Sequence, residues 1–451
     1  MEIKMKNLSF ISMVMFMSFF LLLNNSCQKD TSDIISKSVY TIAVLSDIHY
    51  MDPSLLSDTG SSAFKEYLKT DGKLLAESDA IMKEVIYEML HANPKPDLVL
   101  IPGDLTKDGE LVSHQSVSKY LSQLINAGIK VRVINGNHDI NNPHPYMYIG
   151  PTTQKVANID PDGFKTIYEN CGYSDALYTD PNSLSYVSEP LPGLWLIAID
   201  ACKYWDGIPF SLMVGGSIKQ ETMTWILARL AEAEAKGKTV FGMMHPGILN
   251  HFTDENIMFK GFVVDRSSTV SDSLMNAGLR IMFTGHFHAT DIVKKTSGNT
   301  FLFDIETGST VVYPCTYRMI TYLKDSALII STNTITHNDY PLSAGQTFSY
   351  YITQKAYVNL DSLLTRAFTS SNCTYETARI FAPRIRNAMM AHFAGDEKLY
   401  STHETDSIDL TITRLGSNFS WLRPFCISIW TDIPPADNSL MIYLKSGASF
   451  K

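Results

Sequence analysis

The chain has 451 residues, 45% of them apolar and 18% charged, with a net charge of −9. That composition excludes a disordered, collagen-like or fibrous repeat protein and suggests two or three domains. The acidic balance leaves no wide basic track, so extended nucleic acid is not expected as a partner.

Lys4 and Lys6 precede an apolar run over residues 8–23. Such a run is short for a membrane span and suits the core of a signal peptide. It leads into Leu23-Asn24-Asn25-Ser26-Cys27, which resembles a bacterial lipobox. The expectation is a signal peptide over 1–26, lipid on Cys27 and a polar tether over 27–38. The protein is then expected in the bacterial cell envelope, facing the periplasm or the exterior, anchored to the membrane without a spanning helix. The alternative is a signal peptide followed by an incidental cysteine.

From Tyr40 onward, short apolar runs alternate with loops and amphipathic stretches. Runs at 41–45, 98–101, 131–134, 194–199, 239–244 and 279–284 predict strands buried on both faces. The spacing of Ile81, Met82, Val85, Ile86 and Met89 predicts a helix over 75–91. Leu121, Leu124 and Ile125, stopped by Gly128, predict another over 111–127, and Trp225, Ile226 and Leu230 a third over 219–236. Past 295 the pattern predicts strands at 300–306, 310–313, 317–323 and 327–334. The expected fold is α/β, a four-layer αββα sandwich over 39–342. A boundary near 341–346 separates it from a smaller accessory domain over 346–451, helical over 350–395 and with Met389, Met390 and Phe393 in its core.

Beyond Cys27, the five cysteines at 171, 202, 315, 373 and 426 show no CxxC spacing. No zinc ribbon or disulfide framework is expected, and one bridge stays open.

Polar residues cluster directly after five of the runs. They are Asp47-Ile48-His49, Gly103-Asp104, Gly136-Asn137-His138-Asp139, His245 and Gly285-His286-Phe287-His288. If these strands are neighbours in one sheet, all five tips meet at one edge, where open α/β sheets bind ligands. Asp, Asn and His without thiolate suit hard or borderline divalent metals such as Mn, Fe or Zn. Glycine before Asp104, Asn137 and His286 lets the backbone approach closely. Two divalent cations, offset by Asp47, Asp104 and a bridging hydroxide, leave about +1, which attracts an anionic phosphate ester.

The ordered set resembles the calcineurin-like metallophosphoesterase superfamily over 47–288. The resemblance implies two metal sites, one of Asp47, His49 and His288, the other of Asn137, His245 and His286, with Asp104 bridging. It implies that His138 binds no metal and acts as the catalytic residue at the phosphoryl oxygen or leaving group. The implied reaction is hydrolysis of a P–O ester by in-line attack of a metal-bridging hydroxide. Residues 102–110 with Ser113-His114 look like the branch of bacterial 3',5'-cyclic-nucleotide phosphodiesterases, which makes a phosphodiesterase the leading expectation. A phosphomonoesterase that scavenges phosphate and a non-catalytic surface-binding lipoprotein are the alternatives.

Lys107 departs from two related patterns. Purple acid phosphatases place an iron-binding Tyr there, so a coloured Tyr–iron site is not expected. Phosphoprotein phosphatases place there an Asp that pairs with the catalytic His. The orienting partner of His138 is therefore open, with Asp139 a candidate and loop capping its alternative role. His251 is a candidate for the rim, and Asp200 for support behind the site or a simple strand-end cap. The tyrosines of the insertion 140–192 are expected to pack rather than stack on a base.

Overall fold

The computed structural model describes residues 37–57, 60–69, 71–204, 213–370, 373–395, 397–398 and 422–451. Residues 1–26, expected as a signal peptide, Cys27 and all but the last two residues of the expected tether lie outside the described residues. Among the described residues no helix is long and apolar enough to cross a membrane.

Chain order gives β1 (Val39–Val44), β2 (Leu98–Pro102) and β3 (Lys130–Ile134), then a hairpin of β4 (Tyr146–Ile149) and β5 (Thr152–Lys155). Next come β6 (Tyr178–Thr179), β7 (Tyr186–Leu191), β8 (Leu194–Asp200), β9 (Thr239–His245) and β10 (Ile281–Thr284). The last six are β11 (Asp291–Ser297), β12 (Thr300–Glu306), β13 (Thr316–Leu323), β14 (Ala327–Thr334), β15 (Ser439–Tyr443) and β16 (Ser449–Phe450). They form two seven-stranded sheets, β16-β15-β14-β13-β1-β2-β3 and β11-β12-β10-β9-β8-β7-β6.

Each sheet has a parallel block, at one edge of the first and in the middle of the second. β1, β2 and β3 run parallel, as do β8, β9, β10 and β12, while the remaining pairs are antiparallel. Parallel neighbours are covered on both faces, which is why their sequences read as unbroken apolar runs. Ile42, Leu100 and Val133 of the first sheet share one core with Leu196, Phe241 and Phe283 of the second. The helices Ser78–His91 and Leu111–Asn126 add Ile81, Val85, Met89, Val117 and Leu121 to that core. The helices Gln220–Ala235 and Ser267–Asn276 cover the other side of the second sheet through Ile226, Leu230, Leu274 and Met275 against Trp195, Ile197 and Met282. The four-layer αββα sandwich follows.

Four expectations need correction. The five loop-bearing strands are not neighbours in one sheet, since β1, β2 and β3 lie in the first and β9 and β10 in the second. Residues 310–313 form a turn, because the chain crosses there from the second sheet to the first instead of pairing. The strand pattern starts at Asp291, ahead of 295, where β11 pairs antiparallel with β12. Finally, the segment after 346 is not a separate unit. Residues 39–451 cluster as one compact body, because β15 pairs with β14 and extends the first sheet.

Between those strands the helices Phe348–Ser370 and Tyr375–Ala394 pack together, with Phe381, Ile385, Met390 and Phe393 in a shared apolar cluster and Met389 against it. Pro383 sits inside the second of these helices. All five described cysteines are buried free thiols.

Candidate metal centre

The carboxyl ends of β1, β2 and β3 face those of β9 and β10 across the sandwich, and the five loops meet there. The loops are knitted by their backbones first. Asp47 donates its N–H to Gly103 O and His49 donates to Asp104 O. Two glycines make this possible. A Cβ on Gly136 would stand 2.1 Å from the Asp104 backbone N and Oδ1, and one on Gly285 would stand 2.0 Å from Ser46 Oγ. Any side chain there would push the loops apart.

The backbone is also strained where the donors sit. Asp47, His49, Asp104, His286 and His288 have φ of +48°, +39°, +48°, +95° and +67°. Non-glycine residues held in this region cost about 1–3 kcal/mol each and concentrate at functional sites. Asp47 and His49, two residues apart, would share one face in a strand, and the positive-φ turns bring their side chains within 3.9 Å of each other.

Two sets of donor atoms result. Nε2 of His49 lies 3.1 Å from Nε2 of His288 and 3.5 Å from Asp104 Oδ2. Asp47 Oδ1 lies 3.5 Å from His288 Nε2 and 3.9 Å from His49 Nε2. Across Asp104, Nε2 of His245 lies 3.4 Å from the same Oδ2, 3.1 Å from Asn137 Oδ1 and 2.9 Å from His286 Nδ1. Donors about 2.0–2.2 Å from a shared ion stand about 3.0–3.5 Å apart, so the spacing is that of two coordination shells joined at one carboxylate oxygen. Asp47 Oδ1 is buried and has no hydrogen-bond partner. A buried carboxylate oxygen left without a donor fits a cation better than a protein contact. The seven side chains therefore fit a pair of divalent ions.

Hydrogen bonds behind the imidazoles select the tautomers. His245 Nδ1 donates to Pro102 O at 2.9 Å, freeing Nε2. His286 Nε2 donates to Gly261 O at 3.2 Å, freeing Nδ1. Partners of this kind fix ring orientation in metal sites. Burial, reinforced by the Lys73 charge, pushes His49 well below its ordinary range and His288 to about 3. Burial and the neighbouring His245 do the same to His286. These rings are neutral, as ligation requires. Burial would raise the Asp104 carboxyl, but His245 and His138 hold it well below its ordinary value.

His138 is not one of the seven donors, although one of its ring nitrogens lies within 4.8 Å of donor atoms of His49 and Asp104. Its N–H donates to Asp104 Oδ1 at 2.8 Å, and its ring is 15% exposed while Asp47, His49 and His245 are fully buried. Nδ1 faces Lys107 O at 2.7 Å and Asp108 Oδ1 at 3.1 Å, which leaves Nε2 for a substrate. Asp108 is the residue that sequence reasoning missed. It follows Lys107, and its other oxygen is bonded by the buried Lys107 ammonium, itself 3.0 Å from Glu110. The charged run Lys107-Asp108-Glu110 was the available signal.

Asp139 takes the capping role. It accepts from the N–H groups of Leu105, Thr106 and Gly136 and from the Thr106 hydroxyl, so it ties two loops together and does not contact the His138 ring. Asp200 accepts from Asn135 Nδ2, the Leu184 and Cys202 N–H groups and the Tyr204 hydroxyl, holding the chain two residues ahead of Asn137. His251 is not at the rim. It lies behind the last ligand loop in a buried network, 2.9 Å from Asp291 Oδ1, 3.3 Å from Asp304 Oδ2 and 3.6 Å from Glu306 Oε2. Glu306 in turn accepts from the N–H groups of Phe287 and Ala289, which flank His288. Of the insertion tyrosines, Tyr148, Tyr168 and Tyr173 are buried and pack. His114 lies inside the helix Leu111–Asn126, bonded to Tyr168 OH and Asp139 O.

The family profile described as calcineurin-like phosphoesterase matches residues 40–290, more than half of the chain and a span that holds all seven donors and His138. No curated protein matches the sequence. Among solved structures, the chain is similar to a dimetal phosphatase from Danio rerio, at 14% identity and a TM-score of 0.46, over 70% of this chain and 100% of that one. It is also similar to the purple acid phosphatase PPD1 of yellow lupin, at 12% identity and a TM-score of 0.42, over 66% of this chain and 52% of that one.

Proposed function

We propose, from the premise that this chain belongs to the calcineurin-like phosphoesterase family, that it is a dinuclear phosphohydrolase whose preferred substrate is a phosphodiester. The observation that carries the hydrolase reading is the sharing of Asp104 Oδ2 between the two donor sets. In this reading Asp47, His49 and His288 hold one ion, Asn137, His245 and His286 hold the other, and Asp104 joins them. When bound, the ions supply Lewis acidity toward phosphoryl oxygens and a water acidic enough to ionise near neutral pH.

The protein's own share is position and proton handling. The strained loops preset the donor atoms, so little reorganisation accompanies the reaction. His138 presents Nε2 at the open side, and Asp104 and Asp108 outweigh its burial and raise its proton affinity above the ordinary value. It can therefore carry a proton to the leaving oxygen near neutral pH. Asp108 and the Lys107 carbonyl fix the ring so that Nε2 faces outward.

The diester preference is supported by the 102–110 stretch. The envelope location and the lipid on Cys27 rest on residues 1–27. The test is hydrolysis of bis-p-nitrophenyl phosphate against p-nitrophenyl phosphate by the chain from residue 28 with Mn, Fe or Zn, with Asp104→Ala as control. Diester turnover that disappears in the variant supports the proposal. Turnover of the monoester alone makes the enzyme a phosphomonoesterase, and turnover of neither removes the hydrolase reading. Metabolic labelling with palmitate, compared with Cys27→Ala, tests the anchor.

A further inference from the structure

The segment 71–75, between the helices Ser62–Leu68 and Ser78–His91, is tied to the metal centre from two sides. On one side Leu74 donates its N–H to Val311 O at 2.7 Å, Val311 N–H donates to Ser309 Oγ at 3.1 Å, and Ser309 donates to Asp47 O at 2.6 Å. On the other, Lys73 Nζ donates to Asp71 Oδ2 at 3.0 Å. The Tyr67 hydroxyl lies 3.2 Å from that same oxygen and 3.3 Å from Asp108 Oδ2, and Asp108 Oδ1 faces His138. Lys73 thus stands between a chain of contacts ending at a metal-binding aspartate and one ending at the catalytic histidine. From behind, Asn359 of the helix Phe348–Ser370 donates to Gly72 O at 3.5 Å.

The Lys73 side chain is only 11% exposed. Burial opposes its charge, but Asp71, with Asp108 and Asp104, keeps it an ammonium. Its charge is felt at His49, His138 and His288, where it disfavours protonation. An ammonium has three donors. Asp71 takes one, and among the described residues no other side chain accepts from it. A nearly buried cation with donors to spare, joined through Asp71 and Tyr67 to Asp108 beside His138, lacks an acceptor that a substrate can provide.

We propose that Lys73 is a substrate ligand, its ammonium binding an anionic non-bridging oxygen of the phosphate ester on the His138 side of the centre. The inference rests on the phosphoesterase reading. Asp71 and Tyr67 set the position of the ammonium, and the helix Phe348–Ser370 supports the segment that carries it. The helix Phe348–Ser370 thereby takes a supporting part in substrate binding.

The experiment compares Lys73→Gln and Lys73→Arg with the parent protein, each loaded with Mn and checked for metal content and melting temperature. Inorganic phosphate binding is measured by calorimetry, and KM and kcat with the nitrophenyl esters. Losing one charge-assisted contact is expected to raise both the phosphate Kd and KM about tenfold or more in Lys73→Gln, with kcat changed less than about threefold and metal content kept. Lys73→Arg is expected to recover most of the loss. If Lys73→Gln does not fold, the Lys73→Gln/Asp71→Asn double variant removes the buried pair together and is read the same way. Unchanged phosphate Kd and KM in a folded, metal-loaded variant overturns the proposal while leaving the hydrolase reading intact. Phosphate binding that depends on Lys73 in a protein that hydrolyses neither ester supports the ligand role and removes the hydrolase reading. A parent protein that binds no phosphate overturns the role of Lys73.

Discussion

Replacing Asp108 by Asn tests whether His138 works as a proton donor and what sets its strength. Asp108 Oδ1 lies 3.1 Å from His138 Nδ1, in a site 6% exposed. Its carboxylate raises the proton affinity of the ring, together with Asp104 and against burial. A hydrogen bond to a charged partner in such a place contributes about 1.5–3 kcal/mol, which corresponds to about one to two pKa units. Asn keeps the shape and removes the charge, and the Lys107 carbonyl still orients Nδ1. The His138 pKa therefore falls, and a smaller fraction of rings holds a proton near pH 7. The alkaline limb of the kcat profile is expected to move down by about one to two units. At neutral pH kcat is expected to fall about 10- to 100-fold for esters with poor, alkyl leaving groups. Nitrophenyl esters, whose leaving group needs no proton, should lose much less. The assay is kcat against pH for a series of leaving groups, with metal content measured in parallel. An equal loss for good and poor leaving groups with an unmoved alkaline limb would refute the reasoning.

Four further outcomes follow from the geometry. His138→Ala should keep both metals and lose about 10²–10⁴ in kcat, measured by metal analysis beside steady-state kinetics; metal loss in step with activity would make His138 a ligand. Gly136→Ala drives a methyl into the Asp104 loop, so it should lower stability by about 1–3 kcal/mol or more and halve metal content; an unchanged melting curve would contradict the close approach. Glu306→Gln leaves the Phe287 and Ala289 N–H groups with a weaker acceptor and His251 with one carboxylate fewer, so metal affinity should drop about 10- to 100-fold, read by competition with a chelator. In metal-free protein, burial lifts Asp47 from 3.8 to about 6, while Asp104 outweighs burial and lifts His245 from 6.5 to about 9. Both groups favour the folded state when protonated. Below pH 6.5 the contribution of Asp47 is opposed by His49, His286 and His288, whose depressed proton affinity favours the folded state as pH rises. Net stability should therefore fall as pH rises from about 6.5 through 9, and saturating Mn should flatten that decline; thermal melts with chelator against Mn would show it.

The seven donors and His138 were legible because each follows an apolar run and belongs to a short local pattern. The same holds for the glycines, since Gly136 and Gly285 precede ligands in sequence as well as in space. Asp108 was within reach of the same logic. It lies beside Lys107, but the choice between Asp108 and Asp139 depends on which carboxylate the folded loop turns toward the ring. Asp139 turns toward backbone N–H groups and Asp108 toward His138. His251 shows the opposite failure. Closeness in sequence to His245 suggested the rim, yet the chain after His245 passes behind the ligand loop into the Asp291, Asp304 and Glu306 network.

The sequence by itself determined which chemistry the chain can hold, through residue types and their order along alternating strands and loops. Only the tertiary structure decided how the pieces meet. His49 and His288 are 239 residues apart and face each other at 3.1 Å. The five loops converge from two sheets, and the closing strands β15 and β16 fold the last residues into the first of them. Lys73, in a segment with no motif, takes its place because Leu74 and Asp71 bind that segment to Val311 and Tyr67. Periodicity reports which face of an element is buried, whereas pairing between distant strands and the strained turns at their ends depend on contacts that no local pattern encodes.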